Sequence, residues 1–151
     1  MFKKSKAVKI THIMVRIFYF VWAAVAIGAP FYCKFMESRI PMSMFLTPLY
    51  IALPVGLAAL ICLDKLMINI RKEIVFDEKN VLLLRLLSCC CFLAAAVGAV
   101  FCVYFFFNAS PGASILIAIV VMEIFVGLIV LVVGHVFDAS IKIKKENELT
   151  I

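Results

Sequence analysis

The chain lacks nearly everything by which a soluble enzyme is recognised. It holds no G-x-S-x-G turn, no H-E-x-x-H pair and no P-loop, and its six glycines are too scattered to assemble a phosphate cradle. Nucleophilic catalysis therefore has no motif to rest on. Six cysteines are present, at positions 33, 62, 89, 90, 91 and 102, yet none forms a C-x-x-C pair. Three in a row on a helix fan over about 200° and cannot converge on one metal. They read as small apolar packing residues, with no disulfide framework. Alternating polar positions, which a lipid-embedded barrel needs, are missing as well.

Long apolar runs are what the chain has. Of its 151 residues, 66% are hydrophobic, too many for a water-soluble domain to cover. They fall into four blocks, Ile10 to Cys33, Phe45 to Ile70, Val81 to Phe107 and Ser114 to Asp138. A hydrocarbon core about 30 Å thick needs about 20 helical residues to cross it, and every block is that long. The pattern predicts one integral membrane domain over 1–151, an all-α antiparallel four-helix bundle with a short polar tail at 139–151. The start resembles a signal peptide, with a basic stretch and Ala24-Val25-Ala26. Its apolar run continues to Cys33, however, so it reads as a retained first span.

The net charge is +6, and its placement matters more than its size. Lys3, Lys4, Lys6 and Lys9 precede the first span. Arg71, Lys72 and Lys79 lie between the second and third, and Lys142, Lys144 and Lys145 follow the fourth. The first outer loop carries only Lys34 and Arg39, and the second has no cation. This is the positive-inside pattern, with both termini cytoplasmic. The basic charge marks topology first and contact with anionic lipid second, and it argues against direct nucleic-acid binding.

Within the spans, Ala24 with Gly28, Ala94 with Gly98 and Ala95 with Ala99 have small-xxx-small spacing, and Gly127 and Gly134 share a face. Such positions let backbones approach where no hydrophobic effect drives helices together. They predict packing within the chain. Pro48 falls in the first turn of its helix, whereas Pro54 is interior, frees the Tyr50 carbonyl and predicts a kink. Asp77 is a good N-cap for the third helix, with Phe76 and Val81 at hydrophobic-staple positions and Asn80 at the N3 place of an imperfect capping box.

Glu123 is the one acidic side chain deep in a span, about 14 Å in from Ser114. An ionisable group at that depth is a candidate for binding a proton or ligand. The structural alternative is a neutral carboxyl hydrogen-bonded inside the bundle. Met36, Met42 and Met44 near Cys33 offer thioethers for Cu(I), but three methionines without a histidine are a weak site. His12 and His135 near the inner boundary could ligate haem, and also read as interfacial residues. Asp64, Lys65, Arg85 and Asp138 could form an inner-face ion cluster. Asn108-Ala109-Ser110 matches a glycosylation acceptor, too near the membrane to serve well, and Pro111-Gly112 makes a turn.

The ending Glu146-Asn147-Glu148-Leu149-Thr150-Ile151 resembles the E-N-(D/E)-L-T-(I/V) terminus of the bacterial DUF2975 family. Phe76 to Asn80 followed by Leu84-Arg85 resembles that family's F-x-x-x-N-x-x-x-L-R element. Gly127-Leu128-Ile129 with Val136-Phe137 resembles its fourth-span pattern. The likeness covers essentially the whole chain. It implies a small four-span protein of unknown function, in a family often encoded beside a small Cro-like helix-turn-helix regulator. It carries over no catalytic residue. The tail, if extended, would put Leu149 and Ile151 on one face, a docking segment for a partner's sheet edge or for the inner loop.

The expected function is therefore a non-enzymatic regulatory or sensory protein of the bacterial plasma membrane. It would act through its cytoplasmic face, with a cytoplasmic DNA-binding regulator as the partner the resemblance implies, and with no cofactor and no metal. The alternative is a small transporter or ion-coupled carrier using Glu123. The sequence sets no oligomeric state.

Overall fold

The computed structural model describes residues 6–35, 42–72, 74, 77–107 and 113–149, without the side chains of residues 6–9, 33, 42–45, 113, 148 and 149. Four α-helices account for nearly all of it: α1 (Lys6–Phe35), α2 (Met42–Arg71), α3 (Glu78–Phe107) and α4 (Ala113–Leu149). No strand occurs among the described residues. All four helices are long and apolar enough to cross a membrane. Only ten apolar residues are buried among those described, whereas thirty-nine large apolar ones stay exposed, Phe20, Phe31 and Phe106 at 70% or more. An apolar surface that continuous is tolerated in lipid and not in water. The chain is a multi-pass membrane protein.

The helices pack in chain order, α1 on α2, α2 on α3 and α3 on α4. Among the described residues α1 meets neither α3 nor α4, and α2 does not meet α4. The four-helix assembly is thus an open row rather than a closed ring.

The α3–α4 seam is the best built. The buried residues of α4 are Val120, Gly127, Gly134 and Ile141, each seven from the next. A seven-residue stripe is the seam of helices that coil left-handedly about each other. Facing it, α3 buries Val81, Ser88 and Ala95 at the same interval, and also Leu84. A Cβ on Gly134 would touch Leu84 Cβ at 3.5 Å, one on Gly127 would lie 3.2 Å from Cys91 Cβ, and one on Gly98 would lie 2.6 Å from Val120 Cγ2. Residue numbers rise on α4 as they fall on α3, so the two helices run in opposite directions. Ser88 Oγ donates to the Gly127 carbonyl at 2.9 Å across the seam.

The α1–α2 seam depends on prolines. Pro30 lies inside α1 and cannot donate to the Ala26 carbonyl four residues earlier. The Tyr50 hydroxyl of α2 donates to that carbonyl at 3.1 Å. Sequence analysis singled out Pro54 and passed over Pro30. Beside Pro54, Trp22 Nε1 donates to the Leu53 carbonyl at 3.1 Å, and Gly56 gives the indole room. Two aromatic side chains thus hold this seam through backbone oxygens, as a lipid-embedded helix requires.

One small-residue stripe does not pack as its spacing predicts. A Cβ on Gly28 would meet nothing within 4 Å. Ala24 and Gly28 instead border an outward groove with Phe20, Val21 and Tyr32. The spacing is right, but no neighbouring atom approaches Gly28, and Ala29 beside it, lining the same groove, is the residue that is buried.

These contacts separate two glycines with similar sequence signatures. Gly98→Ala should destabilise the protein by about 1–3 kcal/mol, because Val120 is β-branched and cannot swing aside. Gly28→Ala should leave stability unchanged or slightly raised. Thermal unfolding in detergent measures both.

Candidate functional site

The polar chemistry of the molecule collects at one end, where α2 turns into α3 and α4 ends. Asp77 Oδ1 accepts the Lys79 N–H at 3.0 Å, an N-cap bond that satisfies an orphan donor of α3. Asn80, three residues into that start, is fully buried. A capping-box side chain would reach back to the N–H of Asp77. Asn80 also does something else. Its Nδ2 donates to the Ile74 carbonyl at 2.6 Å, and its Oδ1 accepts from Asn69 Nδ2 at 2.7 Å. The Ile74 N–H in turn donates to the Asn69 carbonyl at 3.1 Å. Asn80 therefore cross-links the end of α2, the connection and the start of α3, a clamp in addition to its N3 place in the imperfect capping box. Asn69 was not foreseen. Its only sequence signal is a single amide in the last apolar turn of span two.

The F-x-x-x-N-x-x-x-L-R element has a physical reading here. Asn80 is the clamp, Leu84 fills the seam beneath Gly134, and Arg85 reaches Asp138 of α4 at 3.5 Å. Lys142 joins the same carboxylate at 3.4 Å. Of the predicted inner-face ion cluster, Arg85 and Asp138 are brought together. Lys65 makes no ion pair among the described residues. Asp64 Oδ1 is buried with no hydrogen-bond partner there.

The C-terminal segment returns to this end. α4 stays helical through Leu149, and Ile141 is buried. Lys145 Nζ donates to Glu78 Oε1 at 2.6 Å, linking the last turns of α4 to the first of α3. Of the tail residues singled out, Glu146, Asn147, Glu148 and Leu149 lie in helix and not in an extended segment. Thr150 and Ile151 lie outside the described residues, as do Phe76, Met36 and the Asn108–Gly112 segment, and the side chains of Met42 and Met44.

Glu123 lies elsewhere, on the α3–α4 seam, with Oε2 3.9 Å from where a Gly98 Cβ would stand. It is half-buried and, among the described residues, makes no hydrogen bond or ion pair, so the hydrogen-bonded carboxyl expected from the sequence is not found. His12 and His135 are not brought together, since α1 and α4 do not meet. No three His, Cys, Asp or Glu side chains among the described residues could share a metal ion. The cysteines at 62, 89, 90, 91 and 102 are free thiols.

A family model described as "Protein of unknown function (DUF2975)" matches residues 13–151. No curated protein and no solved structure matches the chain.

The clamp and the cap differ in what each would leave behind. Asn80→Ala should cost about 2–3 kcal/mol, because it removes a fully buried side chain with two hydrogen bonds and leaves the Ile74 carbonyl and the Asn69 amide without that partner. Asp77→Ala should cost about 1 kcal/mol, as an exposed lost N-cap does. Melting of the two variants in detergent, side by side, measures the gap.

Proposed function

The chain belongs to the DUF2975 family of proteins of unknown function, and on that premise we propose that it is a non-enzymatic regulatory or sensory protein of the bacterial plasma membrane. It works through a cytoplasmic face made by the α2–α3 connection and the C-terminal end of α4. In this reading the helices form an antiparallel bundle with both termini inside. The cation asymmetry supports that orientation, since Arg71, Lys72, Lys79, Lys142, Lys144 and Lys145 all lie at one end.

The observation that carries the proposal is the Lys145–Glu78 link above the Asn80 clamp. A C-terminal segment beyond the apolar part of α4 is held by Lys145 against the first turn of α3. Two segments remote in sequence thereby form one composite polar surface. Such a surface suits a cytoplasmic protein partner, and the family's gene neighbourhood suggests a small helix-turn-helix regulator. The DNA contact would be the partner's, not this chain's.

A second reading, a small ion-coupled carrier, is favoured by one observation. Glu123 is a carboxyl inside a span with no hydrogen-bond partner among the described residues, beside the side-chain-free surface of Gly98. A group left unsatisfied at such depth is costly unless it binds something.

Alkaline phosphatase fused after Ser38 should be active, and fused after Lys72 it should be inactive; the reverse would overturn the orientation. Removing residues 146–151 should leave insertion intact and abolish copurification of a small DNA-binding protein in detergent. If the intact chain captures none, the regulatory reading fails. Glu123→Gln should insert normally and retain that capture, whereas loss of proton-coupled uptake in vesicles would favour the carrier.

A further inference from the structure

We propose that the groove between α2 and α3, beside their connection, is a binding site for one anionic phospholipid, with the phosphate held between Lys65 and Lys79. The groove has a volume of about 280 Å³ and is lined by Lys65, Ile68, Asn69, Lys79, Leu82 and Leu83. Each wall contributes residues at i, i+3 and i+4, so each presents one helix face. The α2 face brings Lys65, Ile68 and Asn69, and the α3 face brings Lys79, Leu82 and Leu83.

The helices run in opposite directions here, as the Asn69–Asn80 hydrogen bond places those residues level. Lys79 is then level with residue 70, and Lys65 lies about 7 Å deeper along the axis. The two ammonium groups therefore stand at opposite ends of the groove on opposite walls. Both stems are long enough to bring their heads toward one anion between them. Asn69 Nδ2 gives one hydrogen to Asn80 and keeps a second for the same anion. Ile68, Leu82 and Leu83 lie between the levels of the two lysines and offer apolar contact to the glycerol and first methylenes of a lipid, and Leu82 is 58% exposed.

Charge pairing points to the same occupant. Arg85, Lys142 and Lys145 are each matched with a carboxylate of this chain. Lys65 and Lys79 make no ion pair among the described residues. Lys65 is set nearly two turns inside the end of α2, where an unmatched charge is costly. A negative headgroup at the membrane boundary supplies the missing partner. Free phosphate would match the charges and leave the apolar wall empty, so the site fits a lipid. The site stands independently of the partner proposed for the cytoplasmic face.

Native mass spectrometry of the full chain in a non-ionic detergent tests this, with phosphatidylglycerol, phosphatidylcholine and inorganic phosphate as probes. One phosphatidylglycerol should bind at least about tenfold more tightly than phosphatidylcholine, and inorganic phosphate should not displace it. Lys65→Gln with Lys79→Gln should weaken binding roughly thirtyfold, each charge being worth about a factor of five at such a surface. Lys72→Gln with Lys144→Gln removes the same charge from the same end and should retain binding. Equal binding of the two lipids, displacement by phosphate, retention by the groove variant or equal loss in the control pair would each overturn the site. If the groove variant fails to fold, Lys79→Gln alone is read, with about fivefold loss expected and none overturning the site.

Discussion

Hydrocarbon cannot hydrogen-bond to a peptide group, so each carbonyl that a helix releases must find a partner in the protein. Most of the specific contacts in this molecule answer that demand. Pro30 releases the Ala26 carbonyl, and Tyr50 supplies the donor from the next helix. Trp22 adds a donor from α1 to the Leu53 carbonyl, next to Pro54. At the end of the row, where α2 stops and α3 has not begun, Asn80 takes the Ile74 carbonyl. The first two bonds join α1 to α2, and Asn80, which also accepts from Asn69, joins α3 to the connection and to α2. Satisfying the backbone and choosing neighbours are thus one act, carried out by three side chains.

The α3–α4 seam follows a different logic. Ser88 on the Gly127 carbonyl is a polar contact inside the seam, and the Arg85–Asp138 and Lys145–Glu78 pairs join these helices only at their polar end. Close approach does the work. Gly127 and Gly134 lie on the seven-residue stripe of α4, and Gly98 faces Val120 from α3. Missing side chains let long runs of dispersion contact form, which is the attraction that remains when lipid tails are as apolar as leucine. The row stays open because α1 spends its contacts on α2 alone.

Charge is sorted with the same economy. At the polar end, carboxylates on α3 and α4 match Arg85, Lys142 and Lys145, and the Arg85–Asp138 and Lys145–Glu78 pairs tie α4 to α3 over its last turns. Such exposed pairs contribute little stability and mainly set register. Lys65 and Lys79 of the α2–α3 groove, like Arg71 and Lys72, have no such pair among the described residues.

Apolar length and the placement of lysines determined, with no structure at hand, that the chain is all-α, that it has four spans and which residues they contain. These are one-dimensional properties, set by the thickness of a bilayer and its lack of hydrogen-bonding partners. Asp77 was legible for the same reason, since a cap acts on the residues next to it. Asn80 was located, but its bonds to Asn69 and Ile74 were not legible, because those partners come from the far side of a turn. Ala24–Gly28 and Gly98 carry equivalent spacing, yet only Gly98 faces a neighbour, and spacing cannot say which face of a helix is covered. The pairing of Lys145 with Glu78, the separation of His12 from His135 and the unpaired lysines of the groove were decided by tertiary structure. They depend on which helices meet and at what level, and in a uniformly apolar chain that choice rests on a few small residues and stray carbonyls.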